Sequence, residues 1–476
     1  MLPPPRSTFG LVGYHRQASL ILQRHNHASQ STLAIEVSSL ADFPQTSQLP
    51  CSNSFPRDTM LRSAFILALA ALSIAQADQV ANFDVTQATA ASFGCGDACF
   101  EVLQSTVAYD REYVGADFDT EFYATAANFS TAKPGDLLKF QALDPANLTT
   151  LSGVSAYRFQ YVSEDYDATL VPVSGFIALP NSLPASGKFP LIAFAHGTIG
   201  TSFGCAISNG PDFFDYDSWS LLTARGYAVV ATDYAGLGNN ATYHKYCTHT
   251  VHAKDLFHSV VAARQALGSV LTPEWVSVGH SQGGGAVWKL AEDVDSLADA
   301  HNSSEADNYL GTVALAPAAK VWDLFKYAVT NILPRDDFLN FAISELLPMT
   351  PYIIKPLYPD FNSSMLGDII KKRLGLVDKA QLCASGVMGL VLDLTVEELT
   401  TFTTTGATDQ DIYYAEAYQN ATAPGNGAKA HGPVLVVQGV NDTAVLADVT
   451  EQVYESACAG GSEIHLLLYP KQDHSG

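Results

Sequence analysis

From about residue 155 onward, apolar and polar positions fall into an alternation of strands and helices. Tyr157–Val162 (Y-R-F-Q-Y-V) and Val171–Leu179 (V-P-V-S-G-F-I-A-L), separated by a polar turn, predict two antiparallel strands. Phe189–Ala195 (F-P-L-I-A-F-A) and Tyr227–Thr232 (Y-A-V-V-A-T) are short continuous apolar runs, the pattern of strands covered on both faces. Between them a helix-like segment over Trp219–Arg225 stops at Gly226, which suits a C′ position. His252–Leu267 places Leu256, Val260 and Ala263 on one helical face. Trp275–Val278 is the next strand, Gln282 to about Leu297 a helix, and Gly311–Ala316 another strand. At Pro317 the alternation stops. Residues from about 318 to 430 mix helix and loop, with Pro348, Pro351, Pro356 and Pro359 as punctuation. It resumes with two buried strands, Pro433–Gly439 and Glu463–Tyr469. The expected class is α/β: a mostly parallel central sheet flanked by helices, with a cap or lid inserted at about 318–430. The sequence has no internal repeat.

One junction in this pattern carries chemistry. Val276–Trp288 reads V-S-V-G-H-S-Q-G-G-G-A-V-W, with Ser281 between Gly279 and Gly283 at the end of a strand and the start of a helix. A G-x-S-x-G in that context is the nucleophile elbow. The turn is so tight that the residues two before and two after the serine collide unless they lack side chains. The helix N-terminus behind it favours negative charge on the carbonyl under attack. A hydroxyl needs a base, and the base an orienting acid. Both are expected at the ends of later strands, where G-V-N-D-T offers Asp442 and P-K-Q-D-H-S-G offers His474. The order Ser, Asp, His is that of an α/β-hydrolase. Asp473 is expected to be solvated. Asp233, in A-T-D-Y-A-G-L-G, is the alternative acid, although a structural loop role suits it better. Two backbone donors should stabilise the oxyanion: the N–H of Gln282, and one from the loop His196-Gly197-Thr198-Ile199-Gly200, with Thr198 as the choice. His196 lies at the wrong strand to be the base and is expected to anchor its loop. The apolar run Leu346–Pro359 holds four prolines, so it cannot form one long helix or a central strand. Its side chains, Ile353 and Ile354 among them, either build the cap's own core, or line an acyl pocket or form a lid that opens on lipid and makes the cap's contact with a lipid interface.

Composition narrows the setting. The chain has 476 residues, is 47% hydrophobic and carries a formal net charge of −23, which repels phosphate backbones and argues against nucleic-acid partners. From Met60, M-L-R-S-A-F-I-L-A-L-A-A-L-S-I-A-Q-A-D has a positive start at Arg62, an apolar stretch from about Ala64 to Ala75 and a small-x-small cleavage site at Ala75-Gln76-Ala77. Residues 60–77 are thus expected to be a secretory signal peptide, too short to span a bilayer. No other apolar run is long enough to be transmembrane. Residues 1–59 are expected to be upstream sequence translated from a wrongly chosen start, or else a disordered or organelle-targeting extension. The hydrolase domain is then 78–476. Apart from Cys51 there are six cysteines, an even number that suits disulfides in an exported chain. The expected pairs are Cys95–Cys99, Cys205–Cys247 and Cys383–Cys458. Sequons at Asn128, Asn147, Asn240, Asn302, Asn362, Asn420 and Asn441 point to a glycoprotein.

The segments H-G-T, D-Y-A-G-L-G, G-H-S-Q-G-G-G and V-N-D…D-H, in this order and at these distances, resemble the fungal secretory lipase family of α/β-hydrolases. The similarity runs from about Cys95 to the end. It implies Ser281 as nucleophile, Asp442 as acid, His474 as base and an inserted lid. It also implies hydrolysis of ester or lipid substrates without metal or organic cofactor. Hydrolases of this type continue with a helix after the catalytic histidine, whereas this chain stops two residues later, so an incomplete gene model is expected. Two other functions compete: a serine peptidase of the same fold, and an inactive binding protein on a hydrolase fold. The cap lacks a charged cluster that would grip a peptide terminus, and the complete set of three residues argues against inactivity.

Overall fold

The computed structural model describes residues 79–115, 117–149, 153–402 and 406–475. The expected extension 1–59, the export signal at 60–77 and Cys51 lie outside the described residues.

Among the described residues nine strands form one sheet: β1 (Leu137–Ala142), β2 (Val154–Glu164), β3 (Leu170–Pro180), β4 (Phe189–Ala195), β5 (Ala228–Thr232), β6 (Leu271–His280), β7 (Tyr309–Leu315), β8 (Val434–Gly439) and β9 (Ile464–Tyr469). Their order is β1-β2-β3-β5-β4-β6-β7-β8-β9. The polar turn after Glu164 folds β2 and β3 into a hairpin paired from Val154↔Pro180 to Glu164↔Leu170. β1 joins β2 antiparallel, and β3 joins β5 antiparallel. From β5 to β9 every pairing is parallel. The short apolar runs occupy the middle of the sheet, where both faces are covered: every residue of β5 is buried. β1 has no such run, which is why the apolar pattern did not announce it.

Helices His249–Leu267 and Gln282–His301 pack on each other and on the sheet. Their Leu256, Phe257, Val260, Val287, Trp288 and Leu290 join the sheet's core. Fully burying a side chain of this size contributes roughly 1.5–3 kcal/mol each, so these two helices hold the central strands firmly.

A second core is helical. It joins Val321–Asn331, Thr350–Ile354, Asp368–Ala380 and Ala384–Gly389 with the N-terminal helix Asp97–Val114, through residues such as Leu103, Val107, Trp322, Leu376 and Val387. The proline-rich run becomes short helices. Pro351 sits in the first turn of Thr350–Ile354, where its missing N–H leaves no bond unmade. Ile353 and Ile354 are buried in this core, whereas Leu346 of the same run lines a cavity.

Two of the expected disulfides need correction. Cys95–Cys99 is present, but Cys205 pairs with Cys383 rather than Cys247. Among the described residues Cys247 and Cys458 are free, the first buried and the second exposed. The physical reason is the meeting of two loops far apart in sequence. Gly200 forms an isolated bridge with Cys383, and Ala384 N–H donates to Ile199 O at 3.0 Å. That brings the Cα atoms of Cys205 and Cys383 to 5.8 Å, within reach of a bond.

Candidate active site

β6 ends at His280 and the helix begins at Gln282, so Ser281 makes the whole turn. Its backbone takes φ 57° and ψ −118°, outside the ordinary L-residue regions. The strain is held from two sides: Ser281 N–H donates to Leu315 O, and Ala318 N–H donates to Ser281 O, both at 2.9 Å. The flanking glycines are obligatory by contact. A Cβ on Gly279 would lie 2.2 Å from Gly283 O, and one on Gly283 would lie 2.0 Å from Ala195 O on the neighbouring strand. Backbone atoms occupy both places, so no side-chain rearrangement could make room.

Asp442 follows β8 and His474 follows β9, and the fold brings them together: Asp442 Oδ2 lies 2.8 Å from His474 Nδ1. The carboxylate's other oxygen accepts from the N–H groups of Ala444 and Val445, each at 2.8 Å. Gln438 Nε2 also donates to Oδ2, at 3.0 Å. Burial alone would raise the Asp442 pKa, but the attraction of His474 and these hydrogen bonds outweigh it and hold the acid below its ordinary value. With Nδ1 engaged, Nε2 is the ring nitrogen left to serve a hydroxyl. His474 and Ser281 line the same cavity.

A chain of polar groups that the sequence pattern did not single out ties the site's loops together. Gly197 N–H donates to Tyr216 Oη at 3.3 Å, and Tyr216 Oη lies 3.0 Å from His280 Nδ1. His280 Nε2 lies 2.8 Å from His474 O. Since a carbonyl only accepts, Nε2 carries the proton and Nδ1 accepts from the tyrosine. This single-proton tautomer is favoured because burial, with the neighbouring His474 second, lowers the His280 pKa to about 3. His280 was visible in the sequence only as the variable position before the nucleophile. Gln438 had a better signal: it is the one polar residue in the apolar run P-V-L-V-V-Q-G.

The other residues expected at the site fall as follows. Thr198 lines the cavity, and its Oγ1 lies 2.7 Å from Tyr246 Oη. Gln282 is buried, with its side-chain Nε2 3.2 Å from His244 Nε2. Its backbone N–H belongs to the first helical turn, where N–H groups lack intrahelical acceptors. His196 is buried with Nδ1 2.6 Å from Gly197 O, and burial lowers its pKa to about 4. Asp233 is not joined to His474. One oxygen accepts from the hydroxyls of Ser174 and Ser208, each at 2.6 Å, and the other from Ser208 N–H at 2.9 Å. Asp473 is exposed.

The cavity over Ser281 measures about 210 Å³. Its walls mix the two cores. Ile199, Phe214 and Tyr216 come from sheet loops, Leu346 and Met388 from the helical segment, and Tyr109, Asp110 and Tyr113 from the N-terminal helix. Asp110 caps the helix Ala384–Gly389, accepting from Ser385 N–H at 3.1 Å and Gly386 N–H at 2.9 Å. Burial pushes its pKa up to about 7 despite those bonds.

Compared by sequence, the chain matches no protein-family model and no curated protein. Compared by structure, it is similar to a rice cell wall degrading esterase, LipA from Xanthomonas oryzae. That match has 17% identity and a TM-score of 0.55, covering 72% of this chain and 92% of the esterase. It is also similar to Candida antarctica lipase A, at 18% identity and a TM-score of 0.52, covering 74% of this chain and 80% of the lipase. With its mixed, mostly parallel sheet and flanking helices, the chain has the α/β-hydrolase fold.

Proposed function

We propose that the protein is a secreted serine ester hydrolase, a lipase or carboxylesterase of the fungal secretory lipase type, working through an acyl-enzyme on Ser281. The observation that carries this is the convergence of three strand ends on one apolar cavity. A serine in a strained turn and a histidine bonded through Nδ1 to a buried aspartate line that cavity or back it. In the proposed reaction His474 Nε2 takes the Ser281 proton as Oγ attacks the ester carbonyl, and Asp442 stabilises the imidazolium. The oxyanion is received by the N–H groups of Gln282 and Thr198, with the helix N-terminus adding favourable field. The imidazolium then protonates the leaving alcohol. Water, activated by the same histidine, releases the acid.

Export is supported by the signal-like stretch 60–77, by two disulfides and by seven sequon asparagines that are all exposed. Among the described residues no helix is long and apolar enough to cross a membrane. Leu346 and Met388 in the cavity wall fit a role for the helical segment in acyl binding. Ester and lipid substrates also fit the two structural neighbours, an esterase and a lipase.

The test is turnover of p-nitrophenyl esters from C2 to C16, beside a panel of dipeptide substrates. Wild type should cleave the esters and not the peptides. Ser281→Ala should lower kcat by roughly 10,000-fold or more, with an unchanged unfolding transition. Peptide cleavage by the wild type, or ester turnover surviving in the variant, would end this assignment.

A further inference from the structure

We propose that Glu164, His258 and His301 form a zinc-binding site that staples β2 to the two long helices flanking the sheet. Glu164 is the last residue of β2, His258 lies within helix His249–Leu267, and His301 ends helix Gln282–His301. A helix of that length spans about 30 Å, so the cluster lies far from Ser281 at the other end of it.

The donor set and its spacing point to a transition metal. Glu164 Oε2 lies 3.1 Å from His301 Nε2 and 3.7 Å from His258 Nε2. One ligand atom from each of the three residues lies within 4.8 Å of the others. Ligands bonded to a tetrahedral zinc at about 2.0–2.2 Å stand roughly 3.3 Å apart. Small side-chain rotations therefore suffice to place all three around one ion. Two imidazoles and one carboxylate suit zinc, whereas calcium and magnesium prefer oxygen alone.

A second, independent observation comes from His258. Its side chain is 1% exposed, Nδ1 has no hydrogen-bond partner among the described residues, and Nε2 has only Glu164 Oε2 before it, at 3.7 Å too long for a hydrogen bond. Burying an imidazole with both nitrogens unsatisfied is costly, and an ion at Nε2 removes half of that demand. Glu164 and His301 are 15% and 19% exposed, so an ion can reach the cluster from solvent and keep a water as fourth ligand. Lys254, one turn earlier on the same helix, directs its ammonium to Asp165 O at 2.8 Å rather than into the cluster. The three ligands come from separate elements, so the ion would act on stability.

The experiment uses the full chain after chelator treatment, titrated with Zn²⁺ alone by calorimetry and followed by thermal unfolding. Wild type should bind one equivalent and gain roughly 3–5 °C in Tm, with no gain from Mg²⁺. His301→Ala, at an accessible helix end, should lower zinc affinity by roughly 100-fold and abolish the Tm gain. Glu164→Gln, which keeps the side chain's shape, should do the same. His431→Ala, a surface histidine beside Asp295, serves as the control and should titrate like wild type. Absence of zinc binding by the wild type would overturn the proposal, leaving a plain carboxylate–histidine pair. So would undiminished zinc binding in His301→Ala and Glu164→Gln.

Discussion

Replacing Asp442 by Asn tests the proposed acid more sharply than deletion would, because the side chain keeps its shape. In the protein Oδ1 accepts from two backbone N–H groups, so an asparagine oxygen would stay there. The amide NH₂ would then take the place of Oδ2, where His474 Nδ1 and Gln438 Nε2 converge at 2.8 and 3.0 Å. Two donors would face the new donor. His474 escapes by moving its proton to Nε2, which leaves no lone pair toward Ser281. If Asp442 is the acid as proposed, holding the wrong tautomer in this way should cost about 10,000-fold in kcat, or about 5.4 kcal/mol of barrier. The clash with Gln438 adds roughly 1–3 kcal/mol of lost stability. Asp233→Asn is the matched comparison. Its new NH₂ would meet the hydroxyls of Ser174 and Ser208, which can rotate to accept. That variant should lose some stability and keep ester turnover within about tenfold. The assay is p-nitrophenyl ester kinetics with urea unfolding for both proteins. Near-normal turnover in Asp442→Asn, or a collapse of turnover in a folded Asp233→Asn, would refute the reasoning.

Three further outcomes are expected. The Asp110 carboxyl, raised to about 7 by burial, keeps its proton in the folded chain where the unfolded chain loses it near pH 3.9. Its contribution to stability is therefore full below about pH 4 and fades as pH rises toward 7, by up to about 4 kcal/mol. Urea unfolding at pH 4.5 and pH 7 should show Asp110→Asn gaining on wild type at the higher pH, and equal differences at both would contradict the buried acid. Non-reducing peptide mapping should find Cys95–Cys99 and Cys205–Cys383 with Cys247 and Cys458 alkylatable after unfolding, and a Cys205–Cys247 peptide would contradict the loop contact. Asn441, whose side-chain amide donates to Pro470 O at 3.3 Å beside Asp442, should carry no glycan. High occupancy there in glycopeptide mass spectrometry would show that the loop tolerates bulk next to the candidate acid.

The class of fold is legible along the chain, because burial on both faces of a parallel strand leaves an unbroken apolar run that can be read directly. Phe189–Ala195 was placed residue for residue. The sequence by itself also locates the elbow, since only glycine fits where backbone oxygens stand about 2 Å from a would-be Cβ. Local turn chemistry of this kind is written in neighbouring residues. Contacts between distant segments are not. β1 leaves no such mark, because its half-exposed edge lacks an apolar run. Cys205 and Cys383 are 178 residues apart, and only the meeting of their loops made them partners. The link from Gly197 through Tyr216 and His280 to His474 joins four chain segments, each unremarkable alone. Likewise the N-terminal helix brings Asp110 to the cavity, and Glu164, His258 and His301 meet only because the strand and the two helices pack. Which polar groups share one small space is a property of the closed fold, and no period along the chain records it.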